Sequence, residues 1–148
     1  IQLMPGSRTL VQTMKKHGAF CALVSGGFTF FTSRVATAIG FDTSQANTLE
    51  IAEGVLTGSV VPPILGKQAK LDYLNTFAVE QNNPLMEALG VGDGANDLPM
   101  LGAAGLGIAF RAKPLVKENA AHSISTLGLD GILYLIGVRD TDQQELLK

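Results

Sequence analysis

The chain has 148 residues, of which 46% are hydrophobic and only 16% charged, and its formal net charge is -2. That length suits one domain with a sizeable core, and the balance excludes a disordered chain in favour of elements covered on both faces. There is no basic stripe for a nucleic acid backbone and no apolar run near the roughly 20 residues of a spanning helix, so neither nucleic acid nor membrane is an expected partner.

In chain order, apolar runs of strand length alternate with segments of helical period, the pattern of a parallel sheet with crossover helices. Pro5-Gly6 makes a turn, and Ser7 is the expected N-cap of a helix reaching Lys16, with Leu10, Val11 and Met14 at helical spacing. Phe20 to Val24 reads as a buried strand that closes on Ser25-Gly26-Gly27, and Phe28 to Ile39 as a helix stopped by Gly40. Thr48 to Ala52 and Val55 to Val60 form a hairpin around Glu53-Gly54, ahead of Pro62-Pro63. A helix is expected from Lys67 to Gln81, a short strand from Ala88 to Val91, and a helix from Asp97 to Ala104. Gly107 to Phe110, Pro114 to Ala120 and His122 to Thr126 read as strand, helix and strand. Cys21, the only cysteine, excludes an internal disulfide and reads as a small buried hydrophobe in a reducing cytoplasm. The chain begins Ile1-Gln2-Leu3 without a visible signal peptide, from which a fragment is expected.

Two turns lie at the carboxyl ends of expected strands, where open α/β sheets bind ligands. Ser25-Gly26-Gly27 offers a hydroxyl, backbone N–H groups and a helix start to an anion, although an ordinary tight turn has the same letters. The second turn, GDGANDLPML over residues 92–101, sets Asp93 and Asp97 within five positions of each other, with Asn96 between them. Two carboxylates so close repel unless a cation lies between or beside them, and oxygen ligands without a nearby histidine point to Mg²⁺ rather than zinc. A calcium loop and a dinucleotide fingerprint both fail on spacing. The bland alternative has Asp93 capping a helix and Asp97 solvated in its first turn.

GDGANDLPML resembles the fourth signature of the haloacid dehalogenase superfamily, and with SGGF it is similar to the phosphoserine phosphatase branch. LMPG, LVSGGF, ANTLEI, GVLTG, Gly66-x-x-Ala69-Lys70 and AGLGIAFRAKP occur in that family's order. The resemblance implies a Rossmann-like α/β core with helices on both faces, over residues 1–140 with a polar tail at 141–148. It implies Mg²⁺-dependent hydrolysis of a small phosphomonoester, O-phosphoserine first, by a two-step route through an aspartyl-phosphate. Ser25 and the Gly26 N–H would bind the phosphate, Asp93 would ligate Mg²⁺ and Asn96 would contact phosphate or substrate. Asp97 would orient metal-bound water and the catalytic lysine. Of two candidates, Lys70 is preferred to Lys67 because it follows a small residue, Ala69, and lies at the family's distance ahead of Asp93.

The family's first signature, DxDxT, carries the nucleophile and is missing here. Asp140-Thr141-Asp142 has Gln144 in place of the threonine and follows the other signatures, so it reads as polar tail. Missing with DxDxT are the first strand, expected between the strand before Ser25 and the strand before Asp93, and the helical cap that selects substrate. Two central strands would then lack a neighbour, which calls for an upstream segment of the same protein or for a second copy in a homodimer. Alternatives are a phosphatase for another small phosphomonoester, the phosphorylation domain of a cation-pumping ATPase, or an inactive module that binds anions and Mg²⁺.

Overall fold

The computed structural model describes residues 3, 5–62 and 65–136, in two compact units divided after Leu65 and again after Leu127. Residues 137–148, with Asp140, Asp142 and the expected tail, lie outside the described residues.

The first unit opens with α1 (Ser7–Lys16), β1 (Ala22–Phe28), α2 (Thr29–Ile39), β2 (Thr43–Ala52) and β3 (Val55–Val61), and it includes α6 (Gly131–Leu135). Ser7 is not the N-cap of α1. Gly6 takes that position with a φ of 80°, and Ser7 is the first helical residue, 6% exposed. The left-handed backbone suits glycine, and a Cβ there would run into Asp130 at the start of α6. Leu10 and Val11 are buried, as the helical spacing predicts, and Ile132 and Leu133 of α6 are fully buried. Basic residues of α1 reach the end of α2: Arg8 donates to the Ala38 carbonyl at 3.0 Å and Lys15 to that of Gly40 at 3.0 Å. Cations on the last carbonyls of a helix satisfy acceptors that lack an intrahelical partner.

The strand order is β1-β2-β3, parallel between β1 and β2 and antiparallel between β2 and β3. Glu53 and Gly54 have φ values of 53° and 78°, the mirror-image two-residue turn whose twist matches a hairpin. The expected hairpin is therefore present, but β2 begins at Thr43, earlier than its polar run Thr43-Ser44-Gln45 suggests. Those residues gain strand structure by pairing with β1, a tertiary effect that local preference does not show.

The second unit holds α3 (Lys67–Glu80), β4 (Leu89–Gly92), α4 (Leu98–Ala103), β5 (Leu106–Phe110), α5 (Pro114–Asn119) and β6 (His122–Ile124). Its strands run parallel in the order β4-β5-β6. Ile108 and Ala109 are fully buried, and Ala109 clusters with Ala112 and Val116 against Leu98 and Ala120. Parallel strands joined by helices bear out the α/β class. The described pairing is two three-stranded sheets, with β1 and β4 each having one neighbour among the described residues. No described helix is long and apolar enough to cross a membrane.

Cys21 precedes β1. Its N–H donates to Asp42 Oδ2 at 2.7 Å and its carbonyl accepts from the Asp42 N–H at 2.8 Å, while Lys15 lies 3.5 Å from the same carboxylate. Burial pushes the thiol from an ordinary value of 9.0 up to about 11; the Asp42 charge adds to this and Lys15 opposes it. A raised thiol keeps its proton in the folded chain while the unfolded chain loses it, so stability should fall as pH rises through the window from about 9 to 11. Alkylation of Cys21 by iodoacetamide at pH 8 should be at least about tenfold slower than that of the urea-unfolded chain.

Candidate active site

The apolar strand β4 ends at Gly92 and leads into a tight 3-10 turn, Ala95–Asp97, before α4 starts at Leu98 with Pro99 in its first turn. The helix expected from Asp97 thus begins one residue later, because the first turn after Gly94 winds more tightly. Asp97 is 4% exposed. Its Oδ1 is 2.5 Å from Lys70 Nζ, and its Oδ2 accepts the N–H groups of Asp93 at 3.0 Å and Gly94 at 3.1 Å. One carboxylate therefore meets a cation and two amides.

Solvent exposure is 12% for the Lys70 side chain and 6% for that of Asp97. A buried ion pair is favourable only when its other hydrogen-bonding capacity is satisfied, and the two amides supply that for the carboxylate. The charge of Asp97 is met by an ammonium from α3. The solvated alternative for Asp97 is overturned, because the carboxylate is buried and meets Lys70 and two backbone amides. Its bond to the Gly94 N–H is the N3 half of a capping box, which ties the turn to the start of α4.

Space for the carboxylate comes from glycine. A Cβ on Gly92 would stand 2.5 Å from both the carboxyl carbon and Oδ2 of Asp97. Asp93 and Asn96 are exposed, with Asn96 Oδ1 2.5 Å from where a Cβ on Gly94 would lie. Asp93 presents a hard oxygen donor of the kind Mg²⁺ takes. No group of three or more His, Cys, Asp or Glu side chains gathers among the described residues. Asp93 thus fits one corner of an Mg²⁺ shell, and further carboxylates would have to come from other residues.

Ser25 and Gly26 stand in the first unit, and Lys70, Asp93, Asn96 and Asp97 in the second. Ser25-Gly26-Gly27 is not the strand-to-helix turn expected from its glycines. It lies within β1 as a bulge: Val24 pairs with Gln45 and Phe28 with Asn47, which leaves more residues on β1 than on β2 between the two pairs. Glycines read as a turn or a bulge alike; pairing of Phe28 beyond them decides for the bulge. Ser25 Oγ accepts the Gly27 N–H at 2.9 Å, which leaves the hydroxyl proton to donate elsewhere. Gly26 and Gly27 are exposed. Sequence reasoning passed over Asn47, 6% exposed, whose amide nitrogen donates to the Gly26 carbonyl at 2.8 Å. A lone asparagine inside the strand run ANTLEI was the available signal.

The haloacid dehalogenase-like hydrolase family matches residues 1–102. The phosphoserine phosphatase of Streptomyces coelicolor is 47% identical over 138 residues, which cover 93% of this chain and 34% of that protein. Among solved structures, an unliganded probable phosphoserine phosphatase from Vibrio cholerae superposes with a TM-score of 0.89 at 39% identity, covering 98% of this chain and 45% of that one. A phospho-aspartyl intermediate analogue of phosphoserine phosphatase gives a TM-score of 0.84 at 36% identity, covering 90% and 64%. This chain spans less than two thirds of the length of each of the three.

The contacts around Asp97 make Gly92 the position where a small change should be felt most. Gly92→Ala should displace the carboxylate from its three donors and lower stability by about 2 kcal/mol, measured by urea unfolding.

Proposed function

Because the chain belongs to the haloacid dehalogenase-like hydrolase family, we propose that it supplies the phosphate-binding and lysine-bearing part of a phosphomonoesterase whose substrate is O-phosphoserine, releasing serine and phosphate. In a cell this would be the last step of serine biosynthesis. A carboxylate from a segment outside these 148 residues would attack phosphorus as the P–O bond to serine breaks. Water would then cleave the aspartyl-phosphate.

In the second unit, Lys70 neutralises charge on the phosphoryl oxygens and on the intermediate, the electrostatic work that phosphoryl transfer mainly requires. Asp97 holds the lysine in place, and Asn96 contacts phosphate or substrate. Mg²⁺ bound at Asp93 would neutralise further phosphoryl charge. In the first unit, the Ser25 hydroxyl and the Gly26 N–H are the phosphate donors. The observation that carries this reading is the Lys70–Asp97 pair, an ammonium shielded from water and locked to the turn that presents Asp93.

In the full-length protein, Lys70→Met should lower kcat/KM for O-phosphoserine by about 10²- to 10³-fold, and the 148-residue chain alone should release no phosphate. Turnover by the isolated chain, or a Lys70→Met enzyme with unchanged kcat/KM, contradicts the proposal. A higher kcat/KM for another small phosphomonoester would move the substrate and leave the chemistry in place.

A further inference from the structure

We infer that Asn47 is a positioning residue for the Ser25 hydroxyl, an inference that rests on the phosphate-binding role proposed for Ser25. The Asn47 side chain is held on both sides. Its Nδ2 donates to the Gly26 carbonyl at 2.8 Å and approaches the Leu65 carbonyl at 3.5 Å, and its Oδ1 accepts the Leu65 N–H at 2.7 Å. The partners fix which amide atom is which, since only nitrogen can donate to a carbonyl and only oxygen can accept from an N–H. Asn47 also pairs with Phe28, where β1 rejoins β2 after the bulge.

The Gly26 carbonyl and the Gly27 N–H belong to one planar peptide unit. Asn47 grips that unit by its oxygen at 2.8 Å, and Ser25 Oγ grips it by its N–H at 2.9 Å. The three residues therefore form one relay: the Asn47 amide orients the peptide, the peptide N–H fixes the Ser25 oxygen, and the Ser25 proton is left to donate to a ligand. Chained hydrogen bonds polarise one another, so the grip on the carbonyl also strengthens the hydroxyl as a donor. Gly26 and Gly27 have no side chains to pack, which leaves these hydrogen bonds to hold the bulge. An aspartate at position 47 would keep the acceptor for Leu65 and set a carboxylate oxygen against the Gly26 carbonyl.

The test is a cycle in the full-length protein: unsubstituted, Ser25→Ala, Asn47→Asp and the double variant. Each is measured for kcat, KM for O-phosphoserine, inhibition by inorganic phosphate, and melting temperature. Asn47→Asp and Ser25→Ala should each weaken phosphate inhibition by about tenfold, and the double variant should be within about twofold of Ser25→Ala alone, because Asn47 acts through Ser25. An undiminished Asn47 penalty in the Ser25→Ala background overturns the inference, as does an Asn47→Asp protein that melts earlier but is inhibited normally by phosphate. If Ser25→Ala leaves phosphate inhibition unchanged, the phosphate role of Ser25 falls and the inference falls with it. Should Asn47→Asp fail to fold, Asn47→Ser takes its place in the cycle with the same expected non-additivity.

Discussion

Burial of the Asp97 carboxylate is the constraint on which the second unit's turn depends. A buried, uncompensated charge is strongly destabilising, and three donors from two directions are needed to hold this one. Lys70 arrives from α3, and the Asp93 and Gly94 amides arrive from the turn itself. Meeting those donors fixes the path of residues 92–97, and that path leaves Asp93 and Asn96 on the surface. An asymmetry of the GDGAND run follows: one carboxylate is used to build the turn, and the other stays exposed, where the proposed function places a ligand.

The first unit reaches a similar result with neutral groups. Its bulge lies in an exposed stretch of glycine, where packing cannot impose a conformation, and a buried asparagine supplies the missing restraint. In both units a segment to which the proposed function assigns ligand contact is held by a single short polar side chain with two or more backbone partners. Such partners are directional, so they define the orientation of a peptide plane in a way that apolar contact does not.

The elements with strong local signals were legible in the sequence. Helix α1, the Glu53-Gly54 hairpin and the strands around Val91 and Ile108 could be read from period, turn chemistry and apolar runs. Lys70 was singled out for a different reason, since its neighbour Ala69 and its distance from Asp93 resemble a family pattern; the structure joins it to Asp97. What could not be read depended on partners distant in sequence. Thr43-Ser44-Gln45 is polar and becomes strand only because β1 lies alongside. Ser25-Gly26-Gly27 has the composition of a turn, and only the Phe28–Asn47 pairing makes it a bulge. Ser7 resembles an N-cap, yet Gly6 supplies the left-handed residue that the approach to Asp130 requires. The DxDxT nucleophile is a different matter, since no reading of these residues can provide a group they do not contain.

The central claim is that Lys70 and Asp97 act as one buried unit, and a double-mutant cycle on stability tests it most directly. Lys70→Met, Asp97→Asn and the double variant would be unfolded in urea alongside the unsubstituted protein. The account predicts a coupling energy of at least about 2 kcal/mol, with the double variant more stable than the sum of the single losses implies. Losses that add to within about 0.5 kcal/mol would contradict it.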